Sequence, residues 1–330
     1  MASNVNDAFG EFLREKVNLD KLKTSTARRS RDNLISNINR FSGEEDFFNI
    51  YLDKNLKFGS FARGTKIREL DDIDQLICLS ADGCRTYSED IYCIRITGDD
   101  NDRKNGLLTD GTGYLNSTKV VNRFVSKLSD LSDYEKAELH KNHEAATLKM
   151  KSYTWNFDIV PCFYTTGDFY LIPDGLGNWK KTDPRVDNNR TATINQNYNG
   201  NILNLIRLIK YWNNRKVTIK IDSYLLECMI LSRYENMETP DNWWIDLQFR
   251  DTLKYLASSI LARVDDPKGI QGDLNTFSWE DRYKISAALS TAHRRAVEAA
   301  DLEINKKNQK AAIDKWKEVL GPEFPDYTVA

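Results

Sequence analysis

Two aspartates, Asp72 and Asp74, stand at the head of the run Ile73-Asp-Gln-Leu-Ile-Cys-Leu79. That run predicts a strand, and residues two apart on a strand leave the same face. Like charges placed side by side repel, so stability alone does not select this pattern. A divalent cation resolves the conflict, because Mg²⁺ takes hard carboxylate and phosphate oxygens together. Just upstream lies Gly59-Ser60. Glycine lets a backbone approach a phosphate closely, and the amides and hydroxyl can hydrogen-bond it. In-line displacement between two metal ions calls for a third carboxylate. The best candidate is Asp158, a lone acid in the apolar segment Trp155-Asn-Phe-Asp-Ile-Val-Pro161. Taken alone, Asp158 reads rather as an edge-strand or paired aspartate. Asp71, next to the pair, is expected to point the other way, since strand neighbours alternate faces.

The elements that must position these groups follow from periodicity. Residues 5–41 read as helix, with Asp20 as a start signal and Ala27, Leu34, Ile35, Ile38 and Phe41 on one face. Strands are expected at 73–79, at 90–96, and once or twice over 145–165. Residues 97–118, rich in Gly, Asp, Asn and Thr, predict a mobile loop. Asp174–Thr182 has the spacing of neither GxGxxG nor a P-loop and reads as a hairpin or turn. Beyond about residue 195 the pattern is helical: Ile202, Leu205, Ile206 and Ile209 form one face, and Tyr224 to Leu231 is apolar. A helix is expected over 246–263. Ser278 with Asp281 predicts a capped start for a helix over 279–302, and Gly321-Pro322 should stop a last helix over 305–320. The expected organisation is 1–195 with the chemistry, 196–320 helical, and 321–330 as a flexible tail.

The chain has 330 residues, of which 40% are hydrophobic and 29% charged, as in a globular protein. Its 47 basic and 49 acidic side chains leave a formal charge of −2. That balance argues against coating a long nucleic acid, which needs a basic surplus. No run of eighteen apolar residues spans a membrane, and the first residues carry no secretory pattern. Five scattered cysteines (Cys78, Cys84, Cys93, Cys162, Cys228) form no CxxC pair and read as reduced, buried thiols in a cytoplasm. His140 and His143 lack the neighbours a zinc site needs.

Gly59-Ser60, eleven intervening residues and then Asp72-x-Asp74 resemble the signature of the DNA-polymerase-β-type nucleotidyltransferase superfamily. Gly59-Ser-Phe-Ala-Arg-Gly-Thr65 and Asn156-Phe-Asp-Ile-Val-Pro161 are similar to oligoadenylate synthetases and to the bacterial cyclic-oligonucleotide synthases called CD-NTases. The similarity continues through Leu205-Ile-Arg207-Leu-Ile-Lys210-Tyr-Trp212, Asp222-Ser223-Tyr224-Leu-Leu-Glu227 and Trp316 to Pro325. The resemblance implies an α+β fold: a polymerase-β-like lobe with a central mixed sheet, an all-helical C-terminal lobe, and an active site in the cleft between them.

It further implies that Asp72 and Asp74 bind two Mg²⁺ ions, with Mn²⁺ as a substitute, and that Asp158 binds the catalytic ion and helps activate the attacking hydroxyl. Gly59 and Ser60 would meet the donor phosphates, Lys210 the triphosphate with Ser223 assisting, and Tyr224 would stack on the base. Arg207, one helical turn from Lys210, would face the same cleft. The implied product is a cyclic di- or trinucleotide made from nucleoside triphosphates for bacterial anti-phage (CBASS) signalling, acting on a downstream effector. HORMA-type partners, or ubiquitin-like conjugation machinery acting at Ala330, are the implied regulators. The alternatives are a nucleotidyltransferase modifying an RNA 3′ end, a protein or a small molecule, and an inactive nucleotide-binding sensor on the same scaffold.

Overall fold

A computed structural model describes all residues except 1, 84, 91, 92, 135, 136, 152, 217, 218 and 330, and the side chain of 216. Cys84, Ala330 and part of the strand expected at 90–96 therefore lie outside the described residues. The chain forms two compact units: Leu22–Arg63 with Leu70–Arg185, and Met1–Lys21 with Gly64–Glu69 and Val186–Ala330.

The single helix expected over 5–41 is two. α1 (Val5–Phe12) runs on through a wider turn, Leu13–Val17, and α2 (Lys21–Arg40) follows. The chain turns out of helix at Asn18, whose backbone is extended (φ −76°, ψ 146°). Arg68 occupies this helix end, donating to the carbonyls of Arg14, Glu15 and Asn18 at 2.7–3.1 Å. Carbonyls at a helix end have no partner within the helix, and a guanidinium supplies several donors at once.

Among the described residues, the first unit is built on a mixed sheet of nine strands. Its elements are β1 (Leu56–Phe58), the short helix α3 (Gly59–Arg63), β2 (Asp72–Leu79), β3 (Tyr87–Glu89), β4 (Ile94–Ile96), α4 (Asp100–Lys104) and α5 (Ser117–Ser129). They continue with β5 (Glu138–Asn142), β6 (Ala145–Lys149), β7 (Asn156–Tyr164), β8 (Tyr170–Pro173) and β9 (Trp179–Thr182). The strand order is β1-β2-β7-β8-β9-β4-β3, and β6, which carries β5, also pairs with β7. Among the described strands only β2 and β7 pair in parallel; the other pairs are antiparallel. Both parallel strands begin with alternating burial and become continuously buried from their fourth residue, β2 to its end and β7 as far as Phe163. They start at an open edge of the core and run into a part covered on both faces. The segment 97–118 is more organised than its composition suggests. Asp99 and Asp102 cap α4 reciprocally, and the bridges Thr97–Tyr114 and Leu108–Leu115 close the remainder.

The second unit holds α1 with α6 (Pro184–Asn197), α7 (Asn201–Lys216), α8 (Ser223–Glu235), α9 (Ile245–Ser259), α10 (Trp279–Ile304) and α11 (Gln309–Leu320). Ile202, Leu205, Ile206 and Ile209 are wholly buried, as the period requires. The Ser278 hydroxyl caps α10 at the amide of Asp281. Within 321–329, part of the tail expected to be flexible, residues have packing partners. Phe324 is 1% exposed and packs edge-on against Phe9 and Phe12, and the Thr328 amide donates to the Ala2 carbonyl. An aromatic placed three residues past the helix stop anchors what its prolines would otherwise release. Among the described residues no helix is long and apolar enough to cross a membrane.

Candidate active site

The register of the parallel pair assembles the acidic group. Asp72 lies opposite Asn156 and Asp74 opposite Asp158, so all three carboxylates leave one face of the sheet at the start of their strands. One oxygen from each lies within 4.8 Å of the other two, and all three residues are half-buried. Two unit charges at that separation repel by about 3 kcal/mol at an effective dielectric of about 20. Asp71 precedes the strand, is exposed and lies outside the group. On the far side of β7, β6 sets Thr147 opposite Asp158, and the buried Thr147 hydroxyl donates to Asp158 Oδ1 at 2.6 Å. Asp158 is thus held between Asp74 and Thr147. Nothing in the sequence singled out Thr147, because its role depends on strand register.

Gly59 explains itself in the same frame. β1 pairs Phe58 with Asp74, so the chain turns into α3 directly against that aspartate. A Cβ at position 59 would collide with Asp74 Oδ2 and stand 2.6 Å from its Cγ, and φ is +75°. Only glycine fits both the space and the backbone. Ser60 follows as the second residue of α3 and is half-buried. Three hard carboxylate donors converging beside a backbone that carries no side chain fit a divalent cation such as Mg²⁺.

The residues expected to hold nucleotide from the helical unit have their own partners. Lys210 is 4% exposed; its ammonium is bonded to Glu227 and donates to the Thr65 carbonyl at 3.2 Å. The Thr65 hydroxyl donates to the same Glu227 oxygen at 2.9 Å. Arg207 does not share this environment. It donates to the Leu203 carbonyl at 3.0 Å and to Asn204 at 3.1 Å, and burial lowers its pKa to about 10. Ser223 is exposed at the start of α8, behind the Asp222 cap. Tyr224 is half-buried, with its hydroxyl 2.7 Å from Asp187 and 3.2 Å from Asp266. Burial, then the neighbouring Cys228 and the Asp187 hydrogen bond, push its pKa well up.

No protein-family model matches the chain. A protein named probable cyclic nucleotide synthase from Bacillus cereus (strain VD146) is 41% identical over 341 residues, covering 99% of this chain and 99% of that one. The cyclic AMP-AMP-AMP synthase of an Acinetobacter species (strain ATCC 27244 / 9458) is 27% identical over 202 residues, covering 59% of this chain and 57% of its own. CdnC of E. coli MS115-1, solved in complex with HORMA-deltaN, has the same fold, with a TM-score of 0.71 at 17% identity over 97% of this chain and 98% of that one. With a mixed sheet that presents three aspartates, a helical C-terminal region and a relative matched along almost its whole length, the chain belongs to the bacterial CD-NTase family of nucleotidyltransferases.

Proposed function

We propose that this protein joins nucleoside triphosphates into a cyclic di- or trinucleotide, releasing pyrophosphate at each step, as a second messenger in anti-phage signalling. The observation that carries the reading is the convergence of Asp72, Asp74 and Asp158 on one face of a parallel strand pair, in a chain 41% identical to a protein named probable cyclic nucleotide synthase. Two divalent cations held by these carboxylates, Mg²⁺ by the hardness of the donors, supply charge neutralisation for the attacking and leaving oxygens when bound.

The protein's own groups do the rest. Asp158, oriented by Thr147, accepts the proton of the attacking ribose hydroxyl. A new O–P bond forms at the α-phosphorus while the bond to the pyrophosphate oxygen breaks in line. Ser60 donates to the donor phosphates, which the bare backbone of Gly59 lets approach closely. Tyr224 stacks on the base. The Lys210–Glu227 pair fixes Thr65, in the segment that follows α3 in the chain. A second round on the linear intermediate closes the ring.

In this reading the product acts on a downstream effector. A HORMA-type regulator is the partner class supported by the likeness to CdnC, which was solved with such a protein.

The test is incubation of the purified protein with Mg²⁺ and all four labelled nucleoside triphosphates, phosphatase treatment, and mass spectrometry of the products. A phosphatase-resistant small product, absent from an Asp72→Asn/Asp74→Asn protein, is expected. Label appearing only on an added RNA or protein acceptor would replace this reading with that of a macromolecule-modifying transferase.

A further inference from the structure

The helical unit holds a second group of buried charges, centred on Tyr224. Lys268 reaches the Tyr224 hydroxyl with its ammonium and also pairs with Asp266 at 2.9 Å and Asp187 at 3.3 Å. The Lys268 side chain is 4% exposed and that of Asp266 not at all. A phenol has one proton to donate and lone pairs to accept with. It donates to Asp187 at 2.7 Å while accepting from Lys268, whose ammonium lies 4.3 Å from the ring centroid. Removing three charged groups from water is unfavourable before their mutual attraction is counted. Phenylalanine at position 224 among apolar neighbours would fill this volume without that cost. The arrangement holds one ring in one orientation.

Its outer jaw is a loop of fixed shape. Residues 264–274 close on themselves through Leu274 N to Val264 O at 2.8 Å and Asp266 N to Gly272 O at 2.9 Å. Inside the loop the Asp266 carboxylate accepts from the amides of Lys268, Ile270 and Gln271 at 2.9–3.2 Å. Asp266 is therefore set before it meets Tyr224. The inner jaw is Asp187, in the first turn of α6.

We infer that Asp187, Asp266 and Lys268 are positioning residues that hold the Tyr224 ring ready for a nucleotide base, so that the 264–274 loop sets affinity for the nucleoside triphosphate through Tyr224. A platform already immobilised loses less rotamer freedom when a base stacks on it. The inference rests on the reading of Tyr224 as the base-stacking residue, and the variants below separate the two. Aromatic stacking by itself does not distinguish phenylalanine from tyrosine; an anchored ring does.

The experiment measures pyrophosphate release by the full chain with Mg²⁺ and each of the four nucleoside triphosphates in turn. In parallel, the rise in melting temperature on adding α,β-methylene ATP or GTP reports binding without turnover. Tyr224→Phe keeps the ring and removes the anchor, and should raise KM about fivefold with kcat within about twofold. Lys268→Met should do the same, the double variant should be no worse than either single change, and Lys268→Arg should restore most of the affinity. Should Lys268→Met fail to fold, Tyr224→Phe decides alone. A Tyr224→Phe protein with unchanged KM and analogue binding, beside a Tyr224→Ala protein impaired in both, would overturn the anchor while leaving the stacking role intact. If Tyr224→Ala also binds and turns over normally, the stacking role fails and the inference with it, whether or not a cyclic product is made.

Discussion

Glu227 holds Lys210 in an ion pair whose side chains are 2% and 5% exposed. The two belong to neighbouring helices, α7 and α8, and their shared partner is Thr65, whose carbonyl meets the ammonium and whose hydroxyl meets the carboxylate. A lysine expected to face a triphosphate is thus the counter-ion of a buried acid.

Breaking this pair from one side leaves a charge stranded out of water. Lys210→Met or Glu227→Gln alone should cost about 3 kcal/mol of stability in urea unfolding, whereas Lys210→Met/Glu227→Gln together should recover most of it. The double variant also separates roles. If Lys210 serves only as the counter-ion, the restored protein keeps its KM for nucleoside triphosphates; if it also binds the triphosphate, KM stays raised.

Gly59→Ala should be among the most damaging small substitutions in the chain. The added methyl group meets Asp74 and the backbone must hold φ near +75°. About 1–3 kcal/mol of stability should be lost, and pyrophosphate release should fall at least about a hundredfold as Asp74 is displaced. Measuring Tm and initial rate on one preparation checks both.

Removing metal should affect stability as well as rate. In the wild type, Mg²⁺ or Mn²⁺ should raise the melting temperature by mass action, and EDTA should reverse the shift. Asp74→Asn and Asp158→Asn should abolish the shift and lower the rate about a thousandfold. A metal-dependent shift persisting in both variants would place the ion elsewhere.

Thr147→Val is nearly isosteric and removes only the hydroxyl that orients Asp158. An approximately tenfold loss in kcat with KM unchanged is expected, and Thr147→Ser should retain most of the rate. A Thr147→Val protein with wild-type kcat would remove Thr147 from the account.

Asp266 links the Tyr224 anchor to acid stability. Burial raises its pKa, but the Lys268 ammonium and the amides of Gln271 and Lys268 outweigh burial and hold it below the ordinary 3.8. A carboxyl with a depressed folded-state pKa adds stability above its unfolded pKa and loses it as pH falls through the folded one. The wild type should therefore lose stability below about pH 4 more steeply than Asp266→Asn. Chemical unfolding at a series of pH values tests the difference in slope.

The acidic pair was legible because spacing of two on a strand fixes a shared face, whereas Asp158, an ordinary paired aspartate when taken alone, was picked out through the resemblance of its block Asn156-Phe-Asp-Ile-Val-Pro161. Their meeting was not legible, since the Asp74–Asp158 register depends on pairing across most of the intervening chain. The same holds for Thr147, which in sequence merely ends the stretch His143-Glu-Ala-Ala-Thr147. The C-terminal helical pattern was expected only beyond about residue 195, although proline is well suited to the first position of a helix, and α6 begins at Pro184. Asp265-Asp-Pro-Lys-Gly269 has the composition of any surface turn, so nothing local marks Asp266 and Lys268 as buried. Helical spacing suggested that Arg207 and Lys210 share a cleft; Glu227, on the next helix, draws Lys210 inward instead.

The parallel pairing of β2 with β7 also bears on how the protein comes to be active during folding. A parallel pair cannot form by a tight hairpin; here the ends meet only after the four strands β3 to β6 and the helices α4 and α5 between them have been accommodated. Closing so long a loop is an entropic barrier that local contacts cannot lower, which makes this pairing a slow step. The carboxylate cluster is consequently a late product of folding. Partly folded chains, with Asp74 and Asp158 still far apart, lack the assembled group of three carboxylates.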